Sequence, residues 1–174
     1  MNRCLGLLAA GLLAAHALAA PPGSRLPPFE ATSLSGQTVT ASQLLGQPAV
    51  LIVTPSTAAA DDTRRWAEAL RQNLDEGSIR IRDILAIDLP FFISQSDAVA
   101  RAQEKIPKRY HDQTWLLDQP KLEDALDIPT QSASAFVFVL DPKGVVVARV
   151  EGRPTPERVA EIRAAVDGLK QPGS

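Results

Sequence analysis

A chain of 174 residues points to one domain with enough bulk to bury a core. Its formal net charge of -2, from 18 Lys and Arg against 20 Asp and Glu, argues against a nucleic-acid surface, which needs a basic patch. Arg64-Arg65 and Arg80 to Arg82 are the local basic clusters, and both fit solvated element faces.

The opening residues, MNRCLGLLAAGLLAAHALAA, have the make-up of a secretory signal peptide. Arg3 supplies the positive start, Leu5 to Ala15 the apolar stretch, and Ala17-Leu18-Ala19 the small-residue cleavage site. The expected cut follows Ala19, so residues 1–19 would be removed and the remainder would be periplasmic or secreted. The apolar run is too short for a membrane span, so no stable membrane insertion is expected after cleavage. Cys4 is the one cysteine of the chain and precedes the apolar stretch, so it leaves with the signal. The exported protein is then expected to hold no disulfide, no thiolate and no cysteine-ligated metal, in a compartment that permits disulfides.

Residues 20–28 form a Pro-rich leader, expected to be extended or disordered. Phe29 to Leu34 and Gln37 to Thr40 read as a hairpin around Ser35-Gly36. Ser42 would cap one helical turn, stopped by Gly46. Ala49 to Val53 is a continuous apolar run, expected as a central strand covered on both faces. From about Ala58 to Leu74 the pattern is helical, with Trp66, Leu70 and Leu74 on one buried face. Arg80 to Leu89 predicts a second strand, followed by a loop with Phe91-Phe92, and a helix capped by Ser96 or Asp97 that runs to about Lys105. Phe91-Phe92 reads as a core plug beneath that loop rather than an exposed contact. Trp115 to Leu117 predicts another short strand, and Leu122, Ala125 and Leu126 one or two helical turns.

Ala135 to Leu140 and Val145 to Val150 flank Asp141-Pro142-Lys143-Gly144, a turn with Pro at its second position, so the two strands should be antiparallel. Thr155 and Pro156 open a last helix as cap and first residue, with Val159, Ile162, Val166 and Leu169 inward. The main order is β-hairpin, β, α, β, α, β, β, α, which is an α/β fold with a mixed central sheet flanked by helices. The domain spans residues 29–170, and 171–174 are a tail.

Pro28-Phe29 with SLSGQTVTASQLLGQPAVLIV, then Phe138 to Asp141, Lys143-Gly144, Gly152 and Thr155 to Glu157, resemble the redoxin branch of the thioredoxin-like superfamily. That resemblance implies a thioredoxin-like fold with an N-terminal hairpin extension. Carried over residue by residue, the family's cysteine pair falls on Ala58 and Asp61, and its cis-proline position on about Ala135. Neither motif is kept. Within that superfamily, Pro48 through Asp62, AVARAQEKIPKRYHDQTWLLD and the SASAFVFVLDPKGVVVARVEGRPTPERV run are similar to the YtfJ-type periplasmic proteins, which lack the cysteine pair. The resemblance therefore marks Thr54, Pro55, Ser56, Thr57, Ala58, Asp61 and Ala135 as degenerate active-site positions.

The residues themselves offer little chemistry there. A hydroxyl nucleophile needs a base within reach, and nothing brings His111 of the KRYHDQ segment to the turn. Asp61 and Asp62 diverge by about 100° on a helix, so they read as helix-start charges rather than a metal or acid–base pair. His111-Asp112 is a poor metal site, and no metal and no cofactor is expected. The leading expectation is a non-catalytic binding or accessory protein of the cell envelope, with an unknown envelope protein or peptide as partner. The alternative is a redoxin-related oxidoreductase working through a partner's cysteines.

Overall fold

The computed structural model describes residues 23–117 and 121–170. The signal peptide, its cleavage site and the tail at 171–174 lie outside the described residues.

Seven strands form one mixed sheet: β1 Glu30–Ser33, β2 Thr38–Thr40, β3 Ala49–Thr54, β4 Arg80–Leu85, β5 Thr114–Leu117, β6 Phe136–Leu140 and β7 Val146–Glu151. Their spatial order is β2-β1-β5-β4-β3-β6-β7. The helices are α1 Ala60–Asn73, α2 Gln95–Lys105, α3 Lys121–Ala125 and α4 Pro156–Lys170. β3, β4 and β5 are parallel to one another, and every other pairing is antiparallel.

β3 is apolar on both sides because both sides are covered. All six of its residues are buried. Leu51 and Val53 join one core with Trp115, Phe136, Phe138, Leu122 and Leu126, while Val50 and Ile52 join a second with Trp66, Leu70, Ile81, Ile162 and Val166. This is the pleat of a central strand, which sends alternate side chains to opposite faces. α1 and α4 supply the second core through the apolar faces legible in their periodicity.

The short Trp115 strand has a larger place than its length suggests. It sits inside the sheet, parallel to β4 and antiparallel to β1, and so joins the N-terminal hairpin to the main body. The described part of the leader, from Gly23 on, is docked. Leu26 N–H donates to Gly144 O at 2.8 Å, Gly23 N–H to Val146 O at 2.9 Å, and Val146 N–H to Ser24 O at 2.8 Å. These bonds cover the start of the β7 edge, and they bury Leu26 and Phe29 in the first core. Gly144 also permits the close approach of Leu45: at φ +77°, a Cβ there would lie 2.8 Å from Leu45 Cδ2.

Several boundaries differ from the sequence pattern. β4 stops at Leu85, four residues short of the apolar run, because no neighbouring strand continues beside Ala86 to Leu89. α2 is capped by Ser94, whose Oγ accepts from Asp97 N–H at 3.1 Å, rather than by Ser96 or Asp97. The short turn at Ala41–Leu44 is 3-10 and begins after Thr40, not at Ser42. Phe91 and Phe92 are not a core plug: they are 100% and 72% exposed and touch each other edge to face at 5.4 Å. The short loop after β4 carries them beyond the sheet, where neither core reaches.

Candidate functional site

The direction of the strands gathers five connections at one end of the sheet. These are the turn after β3, the loop after β4, the segment after β5, the loop before β6 and the loop after β7. The sequence-predicted turn residues lie at this pole. Ala135, 81 residues from Thr54 along the chain, lies there too, buried at the head of β6.

Two hydroxyls at the turn, those of Thr54 and Ser56, have fixed partners. Thr54 is 1% exposed, and its Oγ1 lies 2.8 Å from Thr63 Oγ1. Thr63 gives its own proton to Ala59 O at 3.2 Å, so Thr54 is the donor in the Thr54–Thr63 pair. Ser56, 4% exposed, donates to Ser132 O at 2.7 Å across the pole. Pro55 is buried between them, and Thr57 and Ala58 face solvent in a 3-10 turn that leads into α1. His111 lies just before β5, at the opposite end of the sheet, with Nε2 2.9 Å from Ile106 O. Among the described residues, no nucleophile and base are brought together at this turn.

Asp61 and Asp62 do diverge. Asp61 pairs with Arg64 and with Arg65, the latter at 2.8 Å, on the exposed face of α1. Hydrogen bonds from Arg64 and then Arg65 hold its carboxyl below the ordinary aspartate value. Asp62 points inward and accepts from Arg153 Nε at 2.9 Å. Two carboxylates thus meet three guanidinium groups, and the start of α1 is not the acidic spot its sequence suggests. Arg153 follows β7, and its pairing with Asp62 has no local sequence signal.

The facing loop is built to meet the turn. Gln131 adopts a positive φ of 60°, and Ser132 Oγ accepts from Ser134 N–H at 3.2 Å, which turns the chain before β6. Gly152 N–H donates to Ala135 O at 2.8 Å, and Trp66 Nε1 donates to Gly152 O at 2.6 Å. One tryptophan on α1 therefore secures the loop after β7, and that loop secures the head of β6. The sequence pattern identifies Trp66 as core, but gives no sign of this bond.

A further group at the same pole escaped the sequence pattern. Glu123 is 5% exposed, and its Oε2 has no hydrogen-bond partner. Burial raises its carboxyl above the ordinary value, and the nearby charges of Asp88 and Asp124 add to the shift. Among the described residues no three His, Cys, Asp or Glu side chains are grouped to hold a metal ion. Nor is any described helix long and apolar enough to cross a membrane.

No protein-family model and no curated protein matches this sequence. Solved structures do match in shape. A thiol:disulfide interchange protein from Bacteroides sp. aligns with a TM-score of 0.61 at 14% identity, over 87% of this chain and 93% of that one. The thioredoxin domain of a thiol-disulfide oxidoreductase from Bacteroides vulgatus aligns with a TM-score of 0.59 at 15% identity, over 87% and 99%. The exposed lipoprotein thioredoxin of Streptococcus pneumoniae aligns with a TM-score of 0.58 at 12% identity, over 81% and 99%. With the mixed sheet and its flanking helices, these likenesses show that the chain has a thioredoxin-like fold.

Proposed function

We propose that this chain is an exported, non-catalytic binding or accessory protein of the cell envelope, of the YtfJ-type periplasmic kind. It carries a thioredoxin-like scaffold without thiol chemistry. One observation carries the reading. The turn that resemblance aligns with a cysteine pair has Ala58 and Asp61 at those places, and its neighbouring hydroxyls are committed to Thr63 and Ser132. The signal-peptide pattern of residues 1–19 supports export to the periplasm or beyond.

The partner in this reading is an envelope protein or peptide that offers a carbonyl or acidic group to the exposed Thr57-Ala58 turn. The guanidinium groups around Asp61 and Asp62 suit such a group. Replacing Ser56, Thr57 and Asp61 together should abolish crosslinking to that partner in the intact cell. Unchanged crosslinking would refute a role for the turn.

A second reading, redox work through a partner's cysteines, draws on the thiol:disulfide proteins among the structural neighbours. Insulin-reduction and peroxide assays on the purified protein separate the two. Background rates support the first reading, and clear turnover supports the second.

A further inference from the structure

Arg80, Ile81 and Arg82 open β4, and the pleat of the strand divides them. Ile81 joins the second core, with Trp66 and Leu70 of α1, and Ile84 joins the first. Arg80 and Arg82 share the Ile84 face, and both are half-buried. Their side chains leave the strand about 7 Å apart, since each residue adds about 3.3 Å. Two like charges this close repel each other unless an acid stands with them.

No acid does. Among the described residues, Arg64, Arg65, Arg71, Arg153 and Arg163 each pair with an aspartate, whereas Arg80 and Arg82 form no ion pair. The carboxylates whose charge reaches Arg82 are Asp83 and Glu76. Asp83 lies on the other face of the strand, where it accepts from Arg71 Nη2 at 2.8 Å, and Glu76 accepts from Gln113 Nε2 at 3.2 Å. Backbone carbonyls take one nitrogen of each arginine: Arg80 Nη1 donates to Leu45 O at 2.7 Å, and Arg82 Nη1 to Ile81 O at 2.8 Å. A carbonyl steadies a guanidinium without neutralising it. Arg82 also lies over the Trp115 ring, 5.4 Å from its centre. Burial, and then the charge of Arg80, lowers the Arg82 guanidinium below its ordinary value. Its Nε is buried and has no hydrogen-bond partner. A buried donor left open in a native fold calls for a group that completes it.

We propose that Arg80 and Arg82 are the two arms of a site for a phosphate group, with the remaining N–H groups of both guanidinium groups donating to its oxygens. Charge selects the ligand. A phosphate group carries about -1.5 to -2 at neutral pH and so matches two guanidinium groups, while a carboxylate matches one. Free phosphate and a phosphomonoester share this chemistry. The site lies on the first-core face at the start of β4, away from the turn after β3, and is independent of the role proposed for that turn.

Titration calorimetry on the purified full chain tests this, with inorganic phosphate, glycerol phosphate and acetate at an ionic strength held constant by chloride. Phosphate or its ester should bind saturably, and acetate at least about tenfold more weakly. Tighter inorganic phosphate identifies the free ion as the ligand, tighter glycerol phosphate a phosphorylated molecule, and either supports the site. Arg80→Gln and Arg82→Gln should each weaken binding at least about tenfold. Arg163→Gln, exposed on α4, should bind like wild type. Circular dichroism confirms that the variants are folded. Arg82→Lys, which keeps the charge and loses the planar fork, replaces an Arg82→Gln that is not, and should bind more weakly than wild type. The absence of saturable binding by both phosphate compounds overturns the proposal. So does acetate that binds as tightly as they do, or folded variants at Arg80 and Arg82 that bind like wild type.

Discussion

Ser56 and Ser132, far apart in the chain, are joined by a 2.7 Å hydrogen bond from the Ser56 hydroxyl to the Ser132 carbonyl. The bond ties the turn after β3 to the loop before β6, the two sides of the pole. Here the hydroxyl acts as a cross-brace. Ser56→Ala should lower the unfolding free energy by about 1 kcal/mol, since it leaves a part-buried carbonyl without its donor. Urea denaturation measures that loss, and amide exchange should quicken across residues 129–135.

The turn that the redoxin resemblance aligns with a cysteine pair can be tested by restoring that pair. Replacing Ala58 and Asp61 by cysteines places a pair at the start of α1, where the helix dipole favours a thiolate. Removing Asp61 also frees Arg64 and Arg65 from their present partner. The double variant should reduce insulin above the wild-type background and show a thiol that titrates below the free-cysteine value. An alkylation-rate profile against pH gives that titration, and an ordinary thiol would show that the turn has lost its activating geometry.

Trp66 has two roles that substitution can separate. Trp66→Phe keeps most of the apolar bulk and loses the bond to Gly152 O, so about 1 kcal/mol should go. Trp66→Ala also empties the second core and should cost about 3–5 kcal/mol. Denaturant midpoints for the two variants measure the difference.

Glu123 gives stability a pH dependence of known sign. Its folded-state carboxyl is raised, first by burial and then by Asp88 and Asp124. The native state therefore holds the proton more tightly than the unfolded chain. This contribution is fully present below the ordinary glutamate value of 4.5 and is lost as pH rises through the raised value. Glu123→Gln should be more stable than wild type at neutral pH, and the advantage should vanish in acid. Thermal melts of both proteins across that range would show parallel curves if the charge did not matter.

Much of the architecture is written in local pattern. The apolar run of β3, the Trp66-Leu70 stripe and the Asp141 to Gly144 turn each follow from spacing or turn chemistry, and each stands in the structure as expected. What local pattern cannot carry is who meets whom across the chain. Ser132, Arg153 and Gly152 act through partners more than 70 residues away, so no window of sequence contains both ends. Phe91-Phe92 misleads for the opposite reason: apolar composition alone predicts burial, but the loop holds the rings where no core exists. At Glu123 a charged residue in a short helix reads as surface, while the fold covers it.

The leader's grip on β7 has a consequence for how the molecule comes into being. Gly23 and Ser24, the earliest of the described residues to leave a ribosome, bond to Val146, on the last strand. Sheet closure must therefore wait for nearly the entire polypeptide, since local contacts alone cannot complete it. The clasp between the leader and β7 is therefore among the last contacts that synthesis allows.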